Sequence, residues 1–388
     1  MKMRTRIVNV RVFDGNCLWE KPADILFDES GILAEDNGPV DVEVDGTGKT
    51  LLPGLVDGHV HMGVSGMEPP STEAGTIAMG ARLGYQAQEM WQYGITTVRN
   101  CGTGKDADLA VRNAIREGIL PGVRIVGCGR VLSITGGHAW PMAIECDTVD
   151  EIRKAARLQL RSGVDFVKLM ATGGMGTKGS VPNAPQLTEE QMRTAVEEVA
   201  AVGRFTAAHC TGLEGAKRAI RAGVHIIEHA QLDQETAVMM AQAGAAYCPT
   251  IVTRYNILHT EDPKYQWMRA KADPNDLVRK KKALNLCKEM GIPVLAGTDA
   301  GPNPMTPLGS SLWRELGIYC EYGMTPVEAL HAATAGAASV LGIDGETGSI
   351  RPGLCADLAL YDGDPTADIS QLNTLRCTWQ GGILRYHK

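Results

Sequence analysis

The feature that most constrains this chain is a rhythm. Eight short apolar runs, at 55–61, 96–101, 124–129, 166–171, 204–210, 226–230, 245–251 and 293–299, alternate with segments long enough to form helices. Each run has strand length. Most are nearly continuous in apolar residues, as parallel strands buried on both faces are. Helix-start signals fall between the runs: Thr188 precedes Glu189-Glu190-Gln191 as an N-cap, and Thr325 precedes Pro326 at a first helical turn. Eight strand–helix units of this kind predict an α/β fold, a (β/α)8 TIM barrel. A doubly wound open sheet is the alternative. It favours a glycine-rich phosphate loop after its first strand, and none follows the run at 55–61.

The two ends of the chain have another texture. Residues 7–12, 23–27 and 40–44 read as strands separated by turn residues such as Asp14-Gly15-Asn16 and Ser30-Gly31. After a helix expected at 326–341, residues 356–361, 373–379 and 382–386 read as strands again. Neither end is large enough for a core of its own. Residues 1–54 and 348–388 are therefore expected to pack together as a small β-sandwich domain beside a barrel of residues 55–347.

Composition excludes several classes. A net charge of −7 argues against a dedicated nucleic-acid binder. The one dense basic run, Arg279-Lys280-Lys281-Lys282, reads as a solvated helix face. No apolar run reaches the roughly 18 residues that a membrane span needs. A strand-like segment, not an apolar leader, follows Met1–Arg6. Ten cysteines without a CxxC pair suit free thiols in a reducing cytoplasm. The expectation is a cytoplasmic protein with no nucleic-acid and no membrane partner.

In a barrel of this type, chemistry sits at the C-terminal ends of the strands. The first run ends in His59 and His61, which share a face because strand side chains alternate. The fourth run carries Lys168, the fifth His209, the sixth His229 and the eighth Asp299. One histidine in an apolar strand is usually a hydrogen-bonded core residue, and an aspartate before Ala-Gly is often a turn residue. A lysine inside such a strand is stranger, because a buried ammonium is costly unless paired or neutral. Six such groups converging on strand ends form a ligand set. Imidazole and carboxylate suit Zn²⁺, with Mn²⁺, Co²⁺ or Fe²⁺ as substitutes.

These residues resemble the amidohydrolase superfamily: HxH at His59 and His61, Lys168, His209, His229 and Asp299, in matching order and strand placement. The stretches Thr135-Gly136-Gly137-His138, Val167–Gly174, Ile227-Glu228-His229-Ala230 and Tyr247-Cys248-Pro249-Thr250 are similar to the imidazolonepropionase-related branch that holds prolidase-like and Xaa-Arg dipeptidases. Imidazolonepropionase is mononuclear and lacks the bridging lysine, so Lys168 favours a binuclear, peptidase-like member. The resemblance implies that Lys168 is carboxylated by CO2 and bridges two divalent metal ions, zinc by preference. His59, His61 and Asp299 would hold the more buried ion, and His209 and His229 the more exposed one. The ions would lower the pKa of a water from about 15.7 toward 7. Asp299 would carry its proton to the leaving nitrogen.

The substrate would be a small molecule, most simply a dipeptide or N-acyl amino acid with a free carboxylate. A cyclic amide, a urea or carbamate, or a xenobiotic amide is the alternative, and a barrel scaffold without activity would have lost ligands. His138 is expected to contact the substrate or the developing oxyanion. Tyr247 and Arg254, with Tyr255 nearby, are expected to meet the substrate carboxylate, an Arg by its bidentate fork. Residues 252–275 read as a long loop suited to a lid, and His259 within it is a weaker candidate. His225 reads as structural, and His331 and His387 as bland. Gly173–Gly179 lacks the spacing of a phosphate loop and reads as a mobile loop beside Lys168. No Gly-x-Ser-x-Gly elbow is present. Barrels of this superfamily are commonly homo-oligomers, so the same is expected here.

Overall fold

The computed structural model describes residues 2–34, 38–64, 72–301 and 303–388. Its centre alternates strands and helices. The strands Leu55–Val60, Ile95–Asn100 and Arg124–Gly127 form one parallel sheet. Phe166–Met170, Phe205–His209, Ile226–Glu228 and Ala246–Cys248 form a second parallel sheet, extended at one edge by Val131–Ser133 and Ala143–Glu145. These last two strands, three residues each, were not anticipated; they are too short to show a periodicity. Every residue of Leu55–Val60 and of Phe166–Met170 is buried, as their composition requires.

The eighth run departs from expectation. Residues 293–299 make no regular ladder, only isolated parallel bridges, Tyr247↔Val294 on one side and Val60↔Ala300 on the other. Backbone bonds follow the same path: Leu295 N donates to Tyr247 O at 2.9 Å and Gly58 N to Ala296 O at 2.7 Å. The pleat is interrupted near its end, where Asp299 takes φ +57°. The run still lies between the strand of Tyr247 and the strand of His59.

Helices Glu189–Ala200 and Pro326–Ala332 begin in full capping boxes at Thr188 and Thr325. The helix expected at 326–341 is two, Pro326–Ala332 and Ala335–Val340. Thr334, at φ −137° and ψ −108°, separates them, and its hydroxyl donates to Leu330 O at 2.7 Å. The basic run also differs. Lys281 and Lys282 are exposed on helix Asp276–Met290, but Lys280 is buried, because 276, 280, 283, 284 and 287 fall on its inward face.

Both ends of the chain meet in one eight-stranded sheet. Thr50–Pro53 is its junction, pairing parallel with Thr5–Val12 and antiparallel with Leu358–Tyr361. Its core gathers Ile7, Val12, Phe27, Leu51, Leu358, Leu360 and Trp379, with Phe27 edge-on to Trp379 at 5.7 Å. Only Gly54 separates Pro53 from Leu55, so this sheet anchors the strand that carries His59. All ten cysteines are unpaired. Among the described residues, no helix is long and apolar enough to cross a membrane.

Candidate active site

The strand ends bring the expected ligands together. His59 Nε2 and His61 Nε2 lie 3.4 Å apart, and they stand 3.4 and 3.3 Å from the same oxygen, Asp299 Oδ1. His59, His229 and Asp299 present donor atoms that all lie within 4.8 Å of one another. The rings continue across the site: His59 to His229 at 4.8 Å, His229 to His209 at 4.6 Å and His209 to His138 at 4.3 Å between centroids. Lys168, buried on Phe166–Met170, lines the same cavity and contacts the Glu228 carboxylate.

Hydrogen bonds to the backbone and to one hydroxyl orient the rings. His61 Nδ1 faces Gly102 O at 3.2 Å, and His209 Nε2 faces Gly173 O at 3.1 Å. A carbonyl only accepts, so each of those nitrogens carries the proton and the opposite nitrogen keeps its lone pair. Thr250 Oγ1 donates to Pro249 O at 2.8 Å and so accepts from His229 Nδ1 at 2.6 Å, which leaves Nε2 of His229 basic.

Burial sets the charge states. It holds His59, His209 and His229 well below the ordinary imidazole range and His138 down at about 4. The rings are therefore neutral at physiological pH and free to ligate. Burial also lowers Lys168, with the nearby Arg99 charge adding to it. Burial alone would raise Asp299; the facing imidazoles and Lys168 outweigh it and hold the group below its ordinary value.

Three successive strand ends turn left-handed at residues other than glycine: His229 at φ +65°, Thr250 at +47° and Asp299 at +57°. Such positions cost about 1–3 kcal/mol each, and a β-branched threonine is the most strained of them. They are held by the bonds just described and by Thr298, whose hydroxyl donates to Asp57 Oδ2 at 2.8 Å. Burial brings Asp57 up to about 7.

Beneath the ligands lies a group that sequence reasoning passed over. Arg99, fully buried, donates from Nη2 to Glu228 Oε1 and from Nε to Gly58 O, both at 2.6 Å, and its guanidinium lies 5.1 Å from the Phe166 ring centroid. Glu228 Oε1 is also 3.4 Å from His59 Nδ1. The signal for both residues was the one that picked out Lys168, a charge inside an apolar run.

The other expected residues divide. His138 is buried at the cavity wall, its Nδ1 2.9 Å from Thr177 Oγ1. Its ring sits where a Cβ on Gly174 would come within 2.3 Å, so only glycine admits it there. Met175 and Gly176 from the same loop line the cavity. Arg254 also lines it, from helix Ile251–His259. Its Nε pairs with Asp276 Oδ2 at 3.2 Å, and its two Nη groups make no hydrogen bond to any described residue.

Tyr247 is a correction. It is wholly buried on the outer side of its strand, its hydroxyl donates to Ala230 O at 2.6 Å, and it does not line the cavity. Tyr255 packs beneath the Arg314 guanidinium, and His259 stacks on Tyr255 at the surface. His225 lies just before its strand and faces Phe205, while His331 Nδ1 meets Gly15 O at 2.9 Å. The expected loop at 252–275 is largely helical, with Ile251–His259, Pro263–Tyr265 and Gln266–Arg269. It lines the cavity with Ile257, Tyr265, Trp267 and Met268.

The cavity measures about 550 Å³. The residues around its floor fit divalent cations. Neutral imidazole nitrogens and one carboxylate converge, and His59 Nδ1 is buried without a hydrogen-bond partner among the described residues, poised toward Glu228 as a ligand's outer nitrogen commonly is.

Known proteins share this arrangement of sequence and fold. The model of the amidohydrolase family matches residues 50–383. Ochratoxinase of Aspergillus niger is 31% identical over 373 residues, covering 86% of this chain and 75% of that one. Imidazolonepropionase of Ralstonia nicotianae is 25% identical over 364 residues, covering 84% and 81%. The crystal structure of a Xaa-Pro dipeptidase with bound methionine superposes with a TM-score of 0.87 at 28% identity, covering 99% of this chain and 100% of that one. With the family matched over most of its length, the chain belongs to the amidohydrolase family and is a hydrolase acting on carbon–nitrogen bonds.

Proposed function

We propose that this enzyme cleaves the amide bond of a dipeptide or N-acyl amino acid that carries a free carboxylate. One observation carries the reading: Arg254 is half-buried in the wall of the cavity that holds the ligand set, with its Nε anchored by Asp276 and its Nη pair without a partner among the described residues. A guanidinium edge of that kind suits a carboxylate, which accepts two parallel hydrogen bonds. The relatives named as a dipeptidase and as ochratoxinase agree with amide chemistry.

His59, His61, His209, His229 and Asp299 would hold two divalent ions, zinc by donor type, with Lys168 between them. Bound there, the ions supply polarisation of the carbonyl and a water acidic enough to attack near neutral pH. Lys168 suits carboxylation because burial favours its neutral amine. Nζ adds to the carbon of CO2, loses a proton and becomes an anionic carbamate. Asp299 holds the proton of the attacking water and delivers it to the leaving nitrogen. His138, beside His209, steadies the carbonyl oxygen. The parallel strands are taken to close as a (β/α)8 barrel through the bridges of Val294 and Ala300. Residues 1–54 with 348–388 are taken as a small sandwich domain beside 55–347.

A second reading has its own support. Met142, Met170, Met175, Ile257, Trp267 and Met268 make much of the wall apolar, and the volume exceeds what a small dipeptide fills. A bulky amide without a carboxylate, a xenobiotic one included, would sit there. The test is a panel of L-Xaa-L-Xaa dipeptides, N-acyl amino acids and their carboxamide counterparts on zinc-loaded protein. Preference for the free carboxylate supports the first reading; equal or better turnover of the uncharged amides supports the second.

A further inference from the structure

Helix Asp276–Met290 places two charged side chains one turn apart on its inward face, and both reach the site. Asp276 pairs with Arg254. Lys280 is buried, and its Nζ donates to the carbonyls of His229 and, at 2.6 Å, of Pro249. Those two carbonyls flank the most strained part of the site. His229 is itself left-handed, and Pro249 precedes Thr250, the left-handed residue whose hydroxyl accepts from His229 Nδ1. One side-chain nitrogen thus ties together the turn that carries the His229 ring and the turn that carries the ring's orienting partner. The surroundings hold it there: Glu315, also buried, accepts from the Ile251 and Val252 amides at 2.8 and 2.6 Å at the start of the next helix.

We propose that Lys280 is a positioning residue for His229, setting this imidazole as a metal ligand through the two backbone turns it bridges. The inference rests on the ligand set of the proposed function, but not on its substrate. Without Lys280, the buried His229 carbonyl loses its donor and the Pro249 carbonyl keeps only the Thr250 hydroxyl, so the left-handed turns relax. His229 then leaves its place opposite His209, and the more exposed ion is the one affected. Asp276 serves as the contrast. It acts on Arg254, so its loss falls on substrate recognition and leaves metal content alone.

The experiment compares Lys280→Met, Lys280→Arg and Asp276→Asn with the unaltered enzyme. Each is loaded with zinc and desalted. Metal per chain, the gain in Tm on adding zinc, kcat and KM are then measured. The expected result for Lys280→Met is a fall from about two ions toward one, a smaller zinc-dependent gain in Tm, and a kcat lower by at least tenfold with KM within about threefold. Lys280→Arg restores part of the metal content. Asp276→Asn raises KM and keeps both ions.

A folded Lys280→Met with full metal content and unchanged kcat overturns the proposal. So does a rise in KM alone, which would make Lys280 a substrate contact. If Lys280→Met does not fold, Lys280→Leu, which likewise offers no N–H donor, is measured the same way, and full metal content there overturns it equally. Metal content is read without substrate, so failure of the carboxylate-bearing panel would leave this outcome standing.

Discussion

The two ends of the parallel strands treat buried charge in opposite ways. At their N-terminal ends, unlike charges meet. Asp165, just before Phe166–Met170, receives Arg112 at 2.6 Å, Arg116 at 3.2 Å and Arg204 at 3.5 Å, as well as the Gly127 amide at 2.9 Å. Arg124 opens its strand against Asp357 at 2.7 Å. At the C-terminal ends, like meets like: imidazole faces imidazole in a row, and the backbone turns left-handed three times. The first arrangement completes itself within the chain. The second turns several donor atoms toward one shared space. Buried polar residues thus mark structure or chemistry according to where their partners come from.

The sharpest way to break the contrast is to remove one of the C-terminal groups. Lys168→Ala and Asp299→Asn should each lower kcat/KM by about 10³-fold or more, and Lys168→Ala should lose metal as well. Elemental analysis beside steady-state kinetics would show it, and two ions retained in Lys168→Ala would count against a bridging role. Arg254→Met should raise KM about 10- to 100-fold for carboxylate-bearing amides and spare their carboxamides. An equal loss for both would assign Arg254 to packing.

At the other end the response should be stability alone. Asp165→Asn leaves three arginines facing a neutral group and should cost about 3 kcal/mol in urea unfolding of the metal-loaded enzyme, with kcat/KM unchanged. A drop in turnover larger than the unfolded fraction explains would blur the division drawn above.

The smallest effect concerns Asp108, on the helix Ala107–Arg116. Burial raises it to about 6, and Oδ1 has no partner among the described residues while Oδ2 accepts from Gly129 N. A carboxyl raised on folding contributes stability that is full below its unfolded value of 3.8 and is lost as pH rises through about 6. Asp108→Asn should therefore narrow the fall in Tm between pH 5 and pH 8 by a few degrees; an unaltered fall would place the titration elsewhere.

Much of this was legible in the chain, and the rest was hidden for definite reasons. His59, His61, Lys168, His209, His229 and Asp299 stand out because a polar side chain in an apolar strand needs a reason. Arg99 and Glu228 gave the same signal and were missed because attention went to ligand types. Tyr247 was misjudged although strand phase resolves it: Ala246 and Cys248 pack in the interior cluster, so the residue between them faces the helices. Lys280 was lost in a charge run treated as one unit, when helical spacing separates it from Lys281 and Lys282. The helices at 251–269 carry too mixed a pattern to be told from a loop. The cavity wall they form depends on packing between distant segments, which no local pattern encodes.

One feature of the terminal sheet bears on how the molecule is made. Thr50–Pro53, which leads straight into the strand that carries His59, pairs with Leu358–Tyr361, some three hundred residues later. A ribosome must therefore emit residues 54–361 before this strand gains its second neighbour. Until then its edge is an open template for foreign backbone, and the nascent enzyme is exposed to mispairing throughout that interval.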